Sequence, residues 1–169
     1  TYGASGAVTG GSVTSLTVAY APAIYSAQNF AAVPLTTLVG WIAAGNTAAV
    51  LGAAFGGDDQ IQGSLGGDLL RGGVGNDTIF GGAGNDTFVF LPADSKSPGD
   101  LINDFEFGRD RIDVSAYALE NGMKDISFSM ADNGLHVLLD THDGGLVDIA
   151  TLKGSQDLLA QIGYESFIV

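Results

Sequence analysis

The sequence predicts an all-β fold: a right-handed parallel β-roll, or β-solenoid, with an antiparallel C-terminal cap and one or two short helices. Three observations predict it. A nine-residue unit recurs four times without drift from Ala54 to Val89, with Asp at its sixth place (Asp59, Asp68, Asp77, Asp86) and a bulky apolar residue at its eighth (Ile61, Leu70, Ile79, Phe88). A unit with one apolar anchor cannot bury its own face, so successive units must stack into a solenoid. The chain of 169 residues carries 26 Gly, and Asp outnumbers Glu 16 to 3, a balance that suits tight turns rather than acidic helices.

The elements follow in order. Residues 1–53 hold no charged side chain; the first is Asp58. Their β-branched and apolar stretches, Ser12 to Tyr20 and Leu35 to Ile42, read as strands stacking on the roll, with an uncharged helix as the alternative. Residues 54–114 form the roll itself. Each unit divides into a six-residue glycine-rich turn and a three-residue strand, and the Asp-x-apolar signature returns in enlarged form at Asp100-Leu-Ile102 and Asp110-Arg-Ile112. Residues 115–169 form the cap. Ser115 is placed to start a short helix ending at Gly122. Alternating strands follow over Ile126 to Met130 and Leu135 to Leu139, joined by the hairpin turn Asp132-Asn133-Gly134. A further turn, Asp143-Gly144-Gly145, leads into a strand from Leu146 to Leu152. A last helix is expected from Ser155 to Ile162, and the chain closes on Phe167-Ile168-Val169. Such a cap covers the sheet edge that the roll would otherwise expose.

The turns carry the chemistry. If each nonapeptide is half a coil, turns on one edge lie 18 residues apart. Asp59, Asp77 and the Asp100 loop then share one edge, and Asp68, Asp86 and the Asp110 loop share the other. Neighbouring coils are ~4.8 Å apart, so two bare carboxylates repel by roughly 3–4 kcal/mol at an effective dielectric near 20. A divalent ion between them reverses the sign. The donors on offer are hard oxygens, with no Cys or His in the turns, which suits Ca²⁺ better than Mg²⁺ or Zn²⁺. About four Ca²⁺ sites are expected, two per edge.

These residues resemble the RTX (repeats-in-toxin) calcium-binding nonapeptide family, whose pattern is Gly-Gly-x-Gly-x-Asp-x-apolar-x. Gly72 to Phe80 and Gly81 to Val89 match it at every defined place. Gly63 to Arg71 has Ser64 at the second glycine, and Ala54 to Gln62 keeps only Gly57 and Asp59. Further on, Asp86-Thr-Phe-Val-Phe, Asp94-Ser-Lys-Ser-Pro-Gly-Asp100-Leu-Ile-Asn-Asp-Phe and Gly108-Arg-Asp-Arg-Ile-Asp-Val-Ser115 resemble serralysin-type C-terminal domains and the R modules of mannuronan C-5-epimerases. The resemblance implies that each ion sits between two stacked turns and takes backbone carbonyls as well as carboxylates. By position it brings in Gly57, Ser64, Gly66, Gly72, Gly73, Val74, Gly75, Gly81, Gly82, Ala83 and Gly84, with Asp94 and Asp100 in the enlarged loop and Asp110 on the other edge.

Function follows by class. A formal charge of -13 argues against nucleic acid or an anionic membrane as partner, and no apolar run is long enough for a membrane span. No His-Glu-x-x-His, Ser-His-Asp set or paired glutamate site stands out, so no catalytic residue is assigned. His136 and His142 read as strand and turn residues rather than a metal pair. The chain opens on Thr1 without a signal-like segment and reads as part of a longer protein. The resemblance implies a secreted, extracellular module exported by type I secretion machinery, with a signal near Glu165-Ser-Phe-Ile-Val169. Two parents are in view: a surface-layer or adhesin-like protein, with cell-surface polysaccharide or neighbouring copies as partners, and a secreted protease or epimerase with its catalytic domain elsewhere.

Overall fold

The computed structural model describes residues 56–94, 99–131, 134–142, 145–153 and 161–169, the backbone of strands over 12–20 and 23–34, and positions 37 and 44. The expected strand from Leu35 to Ile42, position 37 apart, and most of the expected helix from Ser155 to Ile162 lie outside the described residues. Twelve strands are described: β1 (Ser12–Tyr20), β2 (Ala23–Pro34), β3 (Gln60–Gln62), β4 (Leu69–Leu70), β5 (Thr78–Phe80), β6 (Thr87–Val89), β7 (Asp100–Ile102), β8 (Arg111–Asp113), β9 (Ile126–Ala131), β10 (Gly134–Asp140), β11 (Leu146–Leu152) and β12 (Phe167–Ile168).

The repeat folds as its period demands. Successive units fall alternately on two sheets, so β3, β5 and β7 stack in parallel on one, and β4, β6 and β8 stack in parallel on the other. Ile61 pairs with Ile79 and Ile79 with Ile102; Leu70 pairs with Phe88 and Phe88 with Ile112. These apolar side chains are all buried and form two ladders that meet inside the roll. A three-residue strand offers one inward side chain, so the eighth place of each unit supplies the core and its neighbours face out.

Both ends of the first sheet are covered. At one end β2 pairs antiparallel with β3, Ala27 opposite Ile61, and β1 pairs antiparallel with β2. At the other, β11 adds in parallel to β7, and β10 and β9 continue antiparallel. β12 closes the second sheet by pairing in parallel with β8. The cap brings its own apolar layer, Leu135, Val137, Leu139, Ile149 and Leu152, into the same core.

The helix expected from Ser115 is replaced by two separate 3₁₀ turns, Ser115–Tyr117 and Gly122–Asp125. Ser115 does not cap a helix: its hydroxyl and amide both donate to Asp113 Oδ1, at 2.6 and 3.0 Å. Ala118 then adopts a left-handed conformation (φ 49°), which ends the first turn. Among the described residues, no helix is long and apolar enough to cross a membrane.

Candidate metal centre

The strand register brings the aspartates into two files. Asp59, Asp77 and Asp100 precede β3, β5 and β7 or open them; Asp68, Asp86 and Asp110 precede β4, β6 and β8. Within each file a backbone amide reaches one coil on. Asp59 N donates to Asp77 Oδ1 at 2.7 Å and Asp77 N to Asp100 Oδ1 at 3.0 Å. Asp68 N donates to Asp86 Oδ1 at 2.9 Å and Asp86 N to Asp110 Oδ1 at 3.0 Å. Each such bond fixes one carboxylate oxygen; the second oxygen of Asp77 and Asp100 lies against Gly72 and that of Asp86 against Gly81.

All six aspartates are buried. Among the described residues, both oxygens of Asp59, Oδ1 of Asp68 and Oδ2 of Asp77 and Asp86 are buried with no hydrogen-bond partner. Burial without a partner is costly for a neutral acceptor and more so for a charge. The carboxyls register this. Burial, then the Asp77 and Asp58 charges, push Asp59 up to about 6. Burial, with Asp77 and Asp94 adding to it, pushes Asp100 up to about 8. Asp77, Asp86 and Asp110 are also raised, burial again being the main cause.

The turns are shaped around these oxygens. A methyl group on Gly72 would collide with Asp77 Oδ2 and lie 2.6 Å from Asp100 Oδ2, so this backbone sits between two carboxylates. Gly84 (φ +136°) approaches the Gly66 carbonyl so closely that a Cβ would lie 2.6 Å from its oxygen. The carbonyls of Gly57 and Ser64 likewise press on Gly75 and Gly82 of the next coil. Gly73, Val74 and Ala83 belong to the same turns, although the Val74 carbonyl accepts Gly57 N at 2.6 Å and the Ser64 carbonyl accepts Ala83 N at 3.3 Å. A void of about 10 Å³, enough for one small ion or water, is lined by Gly73, Gly75, Asp94, Gly99 and Asp100, with Phe90 and Ile149 completing its wall. A groove of about 440 Å³ opens beside the other file and includes Asp86 and Asp110.

Three residues differ from the simplest stacking expectation. Asp94 lines the void, but both its oxygens accept from the Arg71 guanidinium, at 2.6 and 2.7 Å. Oδ2 of Asp68 is taken by Ser64, from the amide at 2.6 Å and the hydroxyl at 2.9 Å. Oδ2 of Asp110 accepts Glu106 N at 2.8 Å. Asp104 was not legible as a site residue from the repeat, yet it accepts Gly81 N at 2.8 Å and Gly82 N at 3.0 Å and so holds the start of a turn from the preceding coil. The signal is the stacking offset: aligning Asp100 on Asp77 places Asp104 on Gly81. His136 and His142 contact different carboxylates, Asp148 and Asp125.

The donor set fits a hard divalent cation. Among the described residues, no group of three or more His, Asp or Glu side chains is placed to hold a metal by itself. The roll offers instead pairs of carboxylates from adjacent coils, completed by turn carbonyls. Oxygen donors of this mixed kind are those Ca²⁺ takes.

Residues 57–152 match the family described as Peptidase M10 serralysin C terminal. The solution structure of the AlgE6R3 subunit from the Azotobacter vinelandii mannuronan C5-epimerase is 30% identical in sequence, the match covering 66% of this chain and 77% of that one, with a TM-score of 0.36. No curated protein matches. The family match spans more than half the chain, and its nonapeptides carry the pattern in full at Gly72 to Phe80 and Gly81 to Val89: this chain belongs to the serralysin C-terminal family of RTX-type repeats.

Proposed function

We propose that this chain is a non-catalytic calcium-binding module of a secreted protein, and that it folds into its roll on meeting calcium outside the cell. One observation carries the reading: five buried carboxylate oxygens stand without a hydrogen-bond partner in two files of aspartate. About four ions would be held, between Asp59 and Asp77, Asp77 and Asp100, Asp68 and Asp86, and Asp86 and Asp110, each with carbonyls of the adjoining turns. When bound, calcium supplies the positive charge that neutralises each pair. The chain's own part is to fix Oδ1 of Asp77, Asp86, Asp100 and Asp110 through the preceding coil's amide, to present the unpartnered oxygens, and to keep water out with the apolar ladders.

The energetics make folding conditional. One site at a free ion level ten times its dissociation constant adds ~1.4 kcal/mol, so four add roughly 5–6 kcal/mol. That is comparable with the ~5–15 kcal/mol that holds a domain together. Extracellular calcium modules have dissociation constants on the order of 10⁻⁴–10⁻³ M. Inside a cell the repeat would stay loose under its own charge; outside it would close. Such a chain suits export by type I secretion in an unfolded state, and no disulfide is needed to stabilise it afterwards.

The uncharged first segment suits a surface-layer or adhesin-like parent. The serralysin C-terminal match favours a second reading, in which the module is the tail of a secreted enzyme. Sequence encoded ahead of Thr1 separates the two: a zinc-helix motif selects the enzyme, further Ala/Thr-rich strands the surface protein. The calcium reading is tested by far-UV circular dichroism and thermal melts, first in calcium and then in excess chelator. Weaker sheet signal and a much lower melting temperature on chelation are expected; identical spectra and melting temperatures would refute it.

A further inference from the structure

The third coil is longer than those before it, and the stacking offsets locate its extra residues. Leu70 pairs with Phe88, 18 residues on. The next residue, Arg71, meets Asp94, 23 residues on, and the same offset holds for Asp77 with Asp100 and Gly81 with Asp104. Five additional residues, the difference between 23 and 18, therefore enter between Phe88 and Asp100, the stretch that carries Asp94.

Arg71 directly precedes Gly72, the first residue of the turn that ends in Asp77. Its Nε donates to Asp94 Oδ2 at 2.6 Å and its Nη2 to Oδ1 at 2.7 Å, a bidentate pair. The Arg71 side chain is half-exposed, whereas Asp94 is buried. The same Asp94 carboxylate lines the ion-sized void beside Asp100, Gly73 and Gly75. One carboxylate is thereby offered to two cations, a fixed guanidinium on one side and whatever fills the void on the other. Among the described residues, Arg71 makes the one Lys or Arg ion pair with the aspartates assigned to the turns.

We propose that Arg71 is a built-in counter-cation. It neutralises Asp94 when calcium is scarce, draws the lengthened coil onto the one before it, and becomes redundant once calcium fills the neighbouring void. This rests on the calcium reading above and adds an order to it: the coil closed by Arg71 is the one that forms first as calcium rises.

The test compares the full chain with Arg71→Gln, Arg71→Lys, Asp94→Asn and the Arg71→Gln/Asp94→Asn double variant, melted by circular dichroism over a calcium series from near-chelated to saturating. Arg71→Gln should melt roughly 2–8 °C below wild type at the lowest calcium that gives a cooperative melt, and this deficit should shrink as calcium saturates. Arg71→Lys, keeping the charge without the fork, should recover part of it. The coupling between Arg71→Gln and Asp94→Asn should fade in step. A deficit equal at every calcium level makes the pair a plain structural bridge and overturns the proposal. A deficit that grows with calcium makes Arg71 an orienter of a ligand, and overturns it too. The wild-type response is the internal control: if calcium does not move the wild-type melt, the calcium reading fails and takes this inference with it. A normal wild-type response with a constant Arg71→Gln deficit removes this inference alone.

Discussion

Asp77→Asn separates charge from shape at the centre of the first file. Asp77 Oδ1 accepts the Asp59 amide, and Asp77 N donates to Asp100. An asparagine keeps both bonds, since its amide oxygen can accept where Oδ1 did. It loses only the charge and the free Oδ2, which faces Gly72. In saturating calcium the variant should be the weaker protein. Asp77 adjoins two of the proposed sites, and their joint contribution at ten times the dissociation constant is ~3 kcal/mol. For a chain of this length that is a fall in melting temperature of roughly 6–12 °C. In excess chelator the sign should invert. There Asp77 repels Asp59 and Asp100 by up to roughly 3–4 kcal/mol per pair at ~4.8 Å and an effective dielectric near 20. Proton uptake already relieves part of this, so a gain of a few degrees is the expected remainder. The assay is differential scanning calorimetry of both proteins in calcium and in chelator at mildly alkaline pH. A shift of the same sign in both conditions would refute the claim that these aspartates are stacked against their own repulsion.

Two more tests reach the same centre by other routes. In chelator, stability should fall as pH rises: the folded carboxyls, with Asp59 raised to about 6 and Asp100 to about 8, bind protons more tightly than in the unfolded chain. Their contribution is fully present below the unfolded value near 3.8 and is lost as pH rises through about 6 and then about 8. In calcium the trend should reverse, because protons then compete with the ion; chemical denaturation at stepped pH with and without chelator reads both slopes, and parallel slopes would count against the sites. Gly72→Ala should cost ~1–3 kcal/mol by driving a methyl group into Asp77 and Asp100, and calcium titration should show it weakening binding. Gly145→Ala is the control, because Gly145 (φ +134°) has open space around it and lies in the cap, so it should strain the backbone without altering calcium affinity.

What the sequence discloses here depends on period. Where the unit is nine residues and regular, one residue type per place is enough. Ile61, Leu70, Ile79 and Phe88 are buried because the eighth place always faces in, and Asp59, Asp68, Asp77 and Asp86 fall into files because the sixth place is always the turn's last residue. Once the period breaks, legibility breaks with it. Asp104 is hidden until the five-residue insertion between Phe88 and Asp100 is known, and only then does it fall on Gly81. Arg71 looks like a solvent-facing ninth-place residue in the repeat; its partner lies 23 residues away, within that lengthened stretch. Ser115 misled for a different reason. Its capping oxygen is drawn to Asp113, two residues back, and Ala118 breaks the turn that a helix would have continued. A local hydrogen bond won over helix propensity, as it commonly does for serine.

The two files divide the work of folding between the backbone and the ion. Register is encoded without any metal: each Asp amide bonds the next Asp Oδ1, and these bonds can form whatever the ionic state of the second oxygen. Charge is left unsolved, and unequally. In the second file, Ser64 and Glu106 take up one oxygen each on Asp68 and Asp110. In the first, both oxygens of Asp59 and the second oxygen of Asp77 have no hydrogen-bond partner, and Asp100 is the carboxyl pushed up to about 8. The second file keeps two unpartnered oxygens, Asp68 Oδ1 and Asp86 Oδ2, against three in the first, so the dependence on a cation is heavier along Asp59, Asp77 and Asp100, the file beside which Arg71 stands. A fixed positive charge is placed where the electrostatic debt is largest, and it meets that debt in part, at Asp94, leaving the remaining carboxylates to the ion.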